Sequence, residues 1–139
     1  MWGCVGLAMI CLLGLLFGDS GEIQRSPEIC FPLPPEVAQR LASGETLDGL
    51  ANITDEERGI YCVRCFVWRP RYGAHHCRLC QRCTVDFDHH CGVFGRCIAG
   101  KGLSGNMKYF VGIIMAAVLG EVGGIVFFLI AVAMNIADA

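Results

Sequence analysis

The chain has 139 residues, 54% of them hydrophobic and 17% charged, with a net charge of −2 and a mean hydropathy of +0.50. That is too apolar for an ordinary soluble domain, and it lacks the basic stripe with interleaved aromatics of a nucleic-acid binder. The apolar residues gather at the two ends and leave a polar, cysteine-rich middle, which excludes a single soluble core and favours a membrane protein with one aqueous segment.

The first predicted element is an apolar helix over Trp2 to Phe17, which carries no charge and is slightly short of the ~20 residues that span a bilayer. A cleaved signal peptide is the alternative, but no Lys or Arg precedes the stretch and no A-x-A site follows it. Residues 1–18 are therefore read as a transmembrane helix. At the other end, residues 107–139 hold a second span, apolar from Phe110 to Ala137 and interrupted by Glu121. All eleven Lys and Arg lie between Arg25 and Lys108, so the positive-inside rule puts the middle in the cytosol and both termini on the lumenal or extracellular side. On the second span Gly112, Ala116, Gly120 and Gly124 recur every four residues. This small-residue stripe suits close helix packing, including self-association. Glu121 is expensive at mid-membrane and calls for a polar partner or water.

Residues 19–60 read as an irregular cytosolic linker. Pro27, Pro32, Pro34 and Pro35 favour extended backbone. Pro35 can open a short helix from Glu36 to Leu41 that ends near Gly44. Thr54-Asp55-Glu56-Glu57 has the form of a capping box, but Gly59 follows at once and forbids a long helix.

Residues 61–106 carry the chemistry. Between Cys62 and Cys97 lie seven of the ten cysteines and all four histidines. In a cytosolic segment thiols stay reduced, and paired C-x-x-C spacings then point to metal rather than to disulfides. Cys62 with Cys65 and Cys77 with Cys80 form two knuckles. Cys83, Cys97 and one histidine from each His-His pair complete eight ligands, enough for two tetrahedral Cys₃His zinc sites. Spacing does not decide which knuckle pairs with which late ligand. A segment this short buries little core, so metal binding must supply folding free energy. One cysteine and two histidines are left over. Cys91, beside Asp88 and His89, is the natural spare thiol, and a thiol next to an imidazole is an activated-nucleophile arrangement. The competing reading is a zinc module without chemistry.

At these residues the chain resembles the cysteine-rich domain of the DHHC-type protein S-acyltransferases, the palmitoyltransferases. The likeness rests on the first knuckle, Arg69-Pro70, His76-Cys77-Arg78-Leu79-Cys80, Cys83, Asp88-His89-His90-Cys91, Cys97, Asn106 and Phe110. Asp19-Ser20-Gly21 also stands where the family has Asp-Pro-Gly. The resemblance implies a small zinc-stabilised domain of loops and β-hairpins between transmembrane helices, facing the cytosol from a eukaryotic endomembrane (Golgi, ER or plasma membrane). It implies one zinc on Cys62, Cys65, His76 and Cys83 and another on Cys77, Cys80, His90 and Cys97. It implies catalysis by Cys91 with His89 as base and Asp88 orienting it. The acyl group then passes from a long-chain acyl-CoA through Cys91 to cysteines of substrate proteins. Arg69, Arg71, Arg96 and Lys101 become candidates for the CoA phosphates or for lipid headgroups.

The sequence departs from the family in several places. Gly92-Val93 stand where it has Pro-Trp, and Arg96 where it has Asn. About four residues are inserted before Asn106, and one before His76. Two apolar segments stand where the family has four helices. The alternative function is accordingly a truncated or silent membrane-tethered zinc module that binds other proteins.

Overall fold

A computed structural model of the chain describes residues 2–137. Residues 1, 138 and 139, which the expected end segments include, lie outside the described residues. The chain divides into two compact units, residues 1–19 with 102–139, and residues 20–101.

The first unit is a helix pair. α1 (Trp2–Phe17) packs on α4 (Met107–Ala137). The small-residue stripe of α4 faces α1 over much of its length. A Cβ added at Gly112 would meet Cys11 Sγ at 2.5 Å, and one at Gly120 would lie 3.8 Å from the Cys4 Cβ. Ala116 is buried between them. Gly124 meets nothing within 4 Å. From the other side, the Tyr109 ring of α4 lies directly against Gly14 of α1, in the space a Cβ would need. Within α4, residues 107–134 are long and apolar enough to cross a membrane. α1 is as apolar but has 16 residues, about 24 Å of helix against a hydrocarbon core of about 30 Å. Glu121 is exposed on α4.

The second unit holds α2 (Pro27–Cys30), α3 (Pro35–Ser43) and seven strands: β1 (Ile53–Asp55), β2 (Gly59–Cys62), β3 (Val67–Arg69), β4 (Ala74–Cys77), β5 (Arg82–Val85), β6 (Phe87–Cys91) and β7 (Arg96–Ala99). They form antiparallel sheets of order β1-β2-β3, β4-β5 and β6-β7. Much of the stretch expected to be irregular is ordered. α3 runs from Pro35 to the left-handed Gly44, whose N–H caps the helix, and Val37 enters a core with Tyr61 and Val63. The Thr54–Glu57 signal closes a hairpin. Asp55 Oδ1 accepts from the N–H groups of Glu57 (3.0 Å) and Arg58 (2.8 Å), the same local bonding that a helix cap would use. Gly59 finishes that turn at φ 96°. Residues 21–23 bond along the free edge of β5, with Ile23 N–H to Cys83 O at 2.9 Å and Val85 N–H to Gly21 O at 2.8 Å.

Candidate metal and nucleophile site

Three hairpins of one design carry the site. In each, a strand ends in a cysteine, four turn residues follow, and the last of the four is left-handed: Phe66 (φ 58°), Gln81 (φ 55°) and Gly95 (φ 65°). The registers agree, with Cys62 opposite Val67, Cys77 opposite Arg82 and Cys91 opposite Arg96. The sequences behind them align as Tyr61-Cys62-x-x-Cys65-x-x-Trp68, His76-Cys77-x-x-Cys80-x-x-Cys83 and His90-Cys91-x-x-Phe94-x-x-Cys97. Reading for C-x-x-C pairs missed this repeat. The His-Cys dipeptides at 76 and 90 were the signal that could have revealed it.

The repeat explains how the ligands interleave. Neighbouring residues on a strand point to opposite faces, so His76 and Cys77 serve different clusters. His76 and Cys83 are a cross-strand pair of β4 and β5 and join the knuckle of the hairpin before, Cys62 and Cys65. His90 and Cys97 pair across β6 and β7 and join Cys77 and Cys80. The ligand atoms of each foursome lie within 4.8 Å of one another. His76 Nδ1 stands 3.5, 3.1 and 3.9 Å from the sulfurs of Cys62, Cys65 and Cys83. His90 Nδ1 stands 3.6, 3.3 and 4.0 Å from those of Cys77, Cys80 and Cys97. Tetrahedral zinc with ordinary bond lengths needs S···N edges of about 3.6 Å, so both donor sets fit such an ion. Their electrostatics fit as well. Hydrogen bonds from Cys65 and Cys83 pull the Cys62 thiol far down, and bonding to the charged Cys62 pushes Cys83 far up. In the second cluster burial, and then bonding to Cys80 and Cys77, pushes the Cys97 thiol up. Sulfurs packed this closely all ionise only with a cation among them. In the first hairpin the places of the pair are taken by Tyr61 and Trp68, packed edge to face at 5.0 Å, and the array ends there.

Cys91 lies outside both clusters. Ordinary alternation would keep Asp88 and His89 apart, but β6 has an irregularity. Phe87 pairs with Ala99 and His89 with Ile98, neighbours on β7, so Asp88 is the extra, bulged residue. Bulges re-aim side chains beside active sites. Here Asp88 Oδ2 reaches His89 Nδ1 at 2.8 Å, and the bond to Asp88 raises the imidazole's affinity for a proton, with a hydrogen bond to Cys91 adding to it. Cys91 is buried. Its thiol is lowered below the usual range first by the N–H of Phe94, then by those of Val93 and the His89 side chain. A lowered thiol bonded to a base that is itself oriented by a carboxylate is the geometry of an activated sulfur nucleophile. The other spare histidine, His75, stacks on Phe87 at 4.7 Å.

The four basic candidates do not form one patch. Arg71 donates to Asp55 O at 3.2 Å, Lys101 pairs with Asp86 at 3.3 Å, and Arg96 stands opposite Cys91 across β6 and β7. Arg69 is buried and bonds the carbonyl of Ala74, while its Nε has no hydrogen-bond partner among the described residues. It lines a cleft of about 230 Å³ with Arg64, His75 and Arg78. Arg64 and Arg78 were not among the basic candidates read from the sequence, because nothing local brings them together.

Comparison with known proteins agrees with this geometry. Residues 55–139 match the family model described as DHHC palmitoyltransferase. Palmitoyltransferase Hip14 of Drosophila melanogaster is 34% identical over 106 residues, 76% of this chain and 14% of that protein. Palmitoyltransferase ERF2 of Eremothecium gossypii is 37% identical over 62 residues, 45% of this chain and 16% of that protein. The probable protein S-acyltransferase 5 of Arabidopsis thaliana is 32% identical over 127 residues, 83% of this chain and 25% of that protein. The chain thus spans a quarter or less of the length of these relatives.

Proposed function

The chain belongs to the DHHC palmitoyltransferase family, and from that premise we propose that it is a protein S-acyltransferase with Cys91 as nucleophile, His89 as general base and Asp88 as the group that orients it. The observation that supports this most is the relay of Asp88, His89 and Cys91 standing outside both metal-fitting clusters. In the first step the Cys91 sulfur forms a bond to the thioester carbonyl carbon of a long-chain acyl-CoA. The bond from that carbon to the CoA sulfur breaks, and the CoA thiolate takes the proton that His89 holds. In the second step His89 accepts the thiol proton of a substrate-protein cysteine. That sulfur takes the acyl carbon, and Cys91 leaves as the thiolate.

Zinc in the two clusters would be held by Cys62, Cys65, His76 and Cys83 and by Cys77, Cys80, His90 and Cys97, and there it supplies folding free energy. Cys91 is thereby fixed from both sides, through His90 and Cys97, without a metal on its sulfur. The cleft of Arg64, Arg69, His75 and Arg78 suits the CoA phosphates better than Arg71, Arg96 or Lys101, because it gathers three guanidinium groups on one concave surface. Both α1 and α4 are assigned as membrane spans. Segments 1–18 and 107–139 then flank a cytosolic linker (19–60) and zinc domain (61–106) in a eukaryotic endomembrane.

The test is acyl transfer by the purified 139-residue chain in lipid nanodiscs. Given labelled palmitoyl-CoA, the wild type acquires a hydroxylamine-sensitive label that Cys91→Ala loses. If the wild type takes no label, or the variant labels equally, the reading gives way to a silent, membrane-tethered zinc-binding interaction module.

A further inference from the structure

Each hairpin of the cysteine-rich unit has two possible metal functions. Its cross-strand pair points back to the knuckle of the hairpin before, and its own knuckle waits for the pair of the hairpin after. The middle hairpin does both, through His76 with Cys83 and Cys77 with Cys80. The first has a knuckle, but Tyr61 and Trp68 in place of the pair. The third has the pair, His90 and Cys97, and its knuckle positions are Cys91 and Phe94.

We infer that the Cys91 hairpin is a zinc knuckle that lacks its second ligand, and that the absence of a donor side chain at position 94 is what keeps the Cys91 sulfur free of metal. The backbone of a metal-binding turn is otherwise complete there. Gly95 N–H bonds Cys91 O at 2.9 Å, as Phe66 N–H bonds Cys62 O at 2.8 Å. The left-handed residue stands in the same place in all three turns. The N–H groups of Val93 and Phe94 reach the Cys91 sulfur as those of Arg64 and Cys65 reach Cys62, and Cys80 N–H stands 3.5 Å from Cys77 Sγ. A hairpin with the backbone of a zinc knuckle therefore presents its sulfur to something other than metal, because position 94 holds a ring and not a thiol, and no fourth hairpin follows β7 before α4. Restoring the thiol supplies three donors at one place: Cys91, the new sulfur, and His89, which is already bonded to Cys91. Three protein ligands and a water suffice for zinc.

The inference builds on the reading of Cys91 as nucleophile, but its test reads metal and thiol access, so it stands or falls apart from acyl transfer. Phe94→Cys and Phe94→Leu chains are purified in nanodiscs under reductant with added zinc, dialysed, and assayed for bound metal and for iodoacetamide alkylation of Cys91 by peptide mass spectrometry. Phe94→Cys is expected to hold one metal equivalent more than wild type and to alkylate at Cys91 about tenfold more slowly or less, with rapid alkylation restored by a chelator titrated to remove only the added equivalent. Phe94→Leu keeps wild-type metal and alkylation. The inference is overturned if Phe94→Cys binds no additional metal and its Cys91 alkylates like wild type. It is equally overturned if Phe94→Leu slows Cys91 alkylation as much as Phe94→Cys does, since the ring would then act by packing and not by the absence of a ligand.

Discussion

In β6, Asp88 is the residue with no partner of its own on β7, and that one irregularity brings its carboxylate to His89, the first of the two adjacent histidines. Beyond the bulge, His89 and Cys91 share a face while His90 turns to the other, where its Nδ1 meets three sulfurs. The division of labour is thus a matter of strand parity, and it predicts different losses from similar substitutions. His90→Ala removes a donor from the second cluster and should lose metal and the order of β6 and β7 with it. His89→Ala touches neither donor set. It should keep the full metal content while acyl labelling of Cys91 falls about 10²-fold or more, the usual contribution of a general base. Zinc measured by atomic emission beside the labelling assay separates the two, and equal zinc loss in both variants would refute the division.

At the scale of elements, the two cysteine knuckles were legible because C-x-x-C spacing is local, and a turn of that length can only bring its own two sulfurs together. The interleaving was not readable from spacing. It depends on which residues of β4 and β6 face which side, and parity is visible only once the registers are known. For the same reason the bulge at Asp88 and the cleft of Arg64, Arg69 and Arg78 escaped sequence reasoning. Thr54–Glu57 was read as a cap-like signal because a carboxylate that bonds the next free N–H groups looks alike at a helix start and in a hairpin turn. The stripe on α4 was legible as a packing face, but not its occupant. Much of it is covered by α1 of the same chain, with 3.5 Å between the Cys11 Cβ and a Cβ built at Gly112. That separation is within the range that disulfides use, about 3.5–4.5 Å. Gly112→Cys should therefore cross-link to Cys11 within one chain under mild oxidation, as seen in linked peptides by mass spectrometry. Gly124→Cys, with nothing within 4 Å of its Cβ position, should stay a free thiol. Equal cross-linking at both positions would contradict the packing of α1 on α4.

The whole molecule is two units with different sources of stability. The helix pair satisfies its backbone within each helix, and its small-residue contacts need no metal. The cysteine-rich unit has a core made in large part of ligands. Cys62, Cys65 and Cys83 with Val67 form one cluster, and Val37, Tyr61 and Val63 form another, against which Leu33, Leu47, Leu50, Ile53, Phe66 and Trp68 pack half-buried. Fully buried apolar side chains are few for a unit of this length, and a metal is the usual means by which such a unit is held. Structural zinc contributes about 10–16 kcal/mol per site in the smallest domains, so with zinc in both clusters, as proposed above, metal is the term on which this unit would depend. Stripping metal with a strong chelator should then unfold one unit and spare the other. Amide exchange in β2 to β7 should rise by orders of magnitude, while the exchange-protected cores of α1 and α4 and the helical circular dichroism they dominate should persist. Adding zinc back under reductant should restore strand protection and Cys91 labelling together. If chelation left the strands protected, the apolar contacts alone would be holding them, and the clusters would be passengers in the fold.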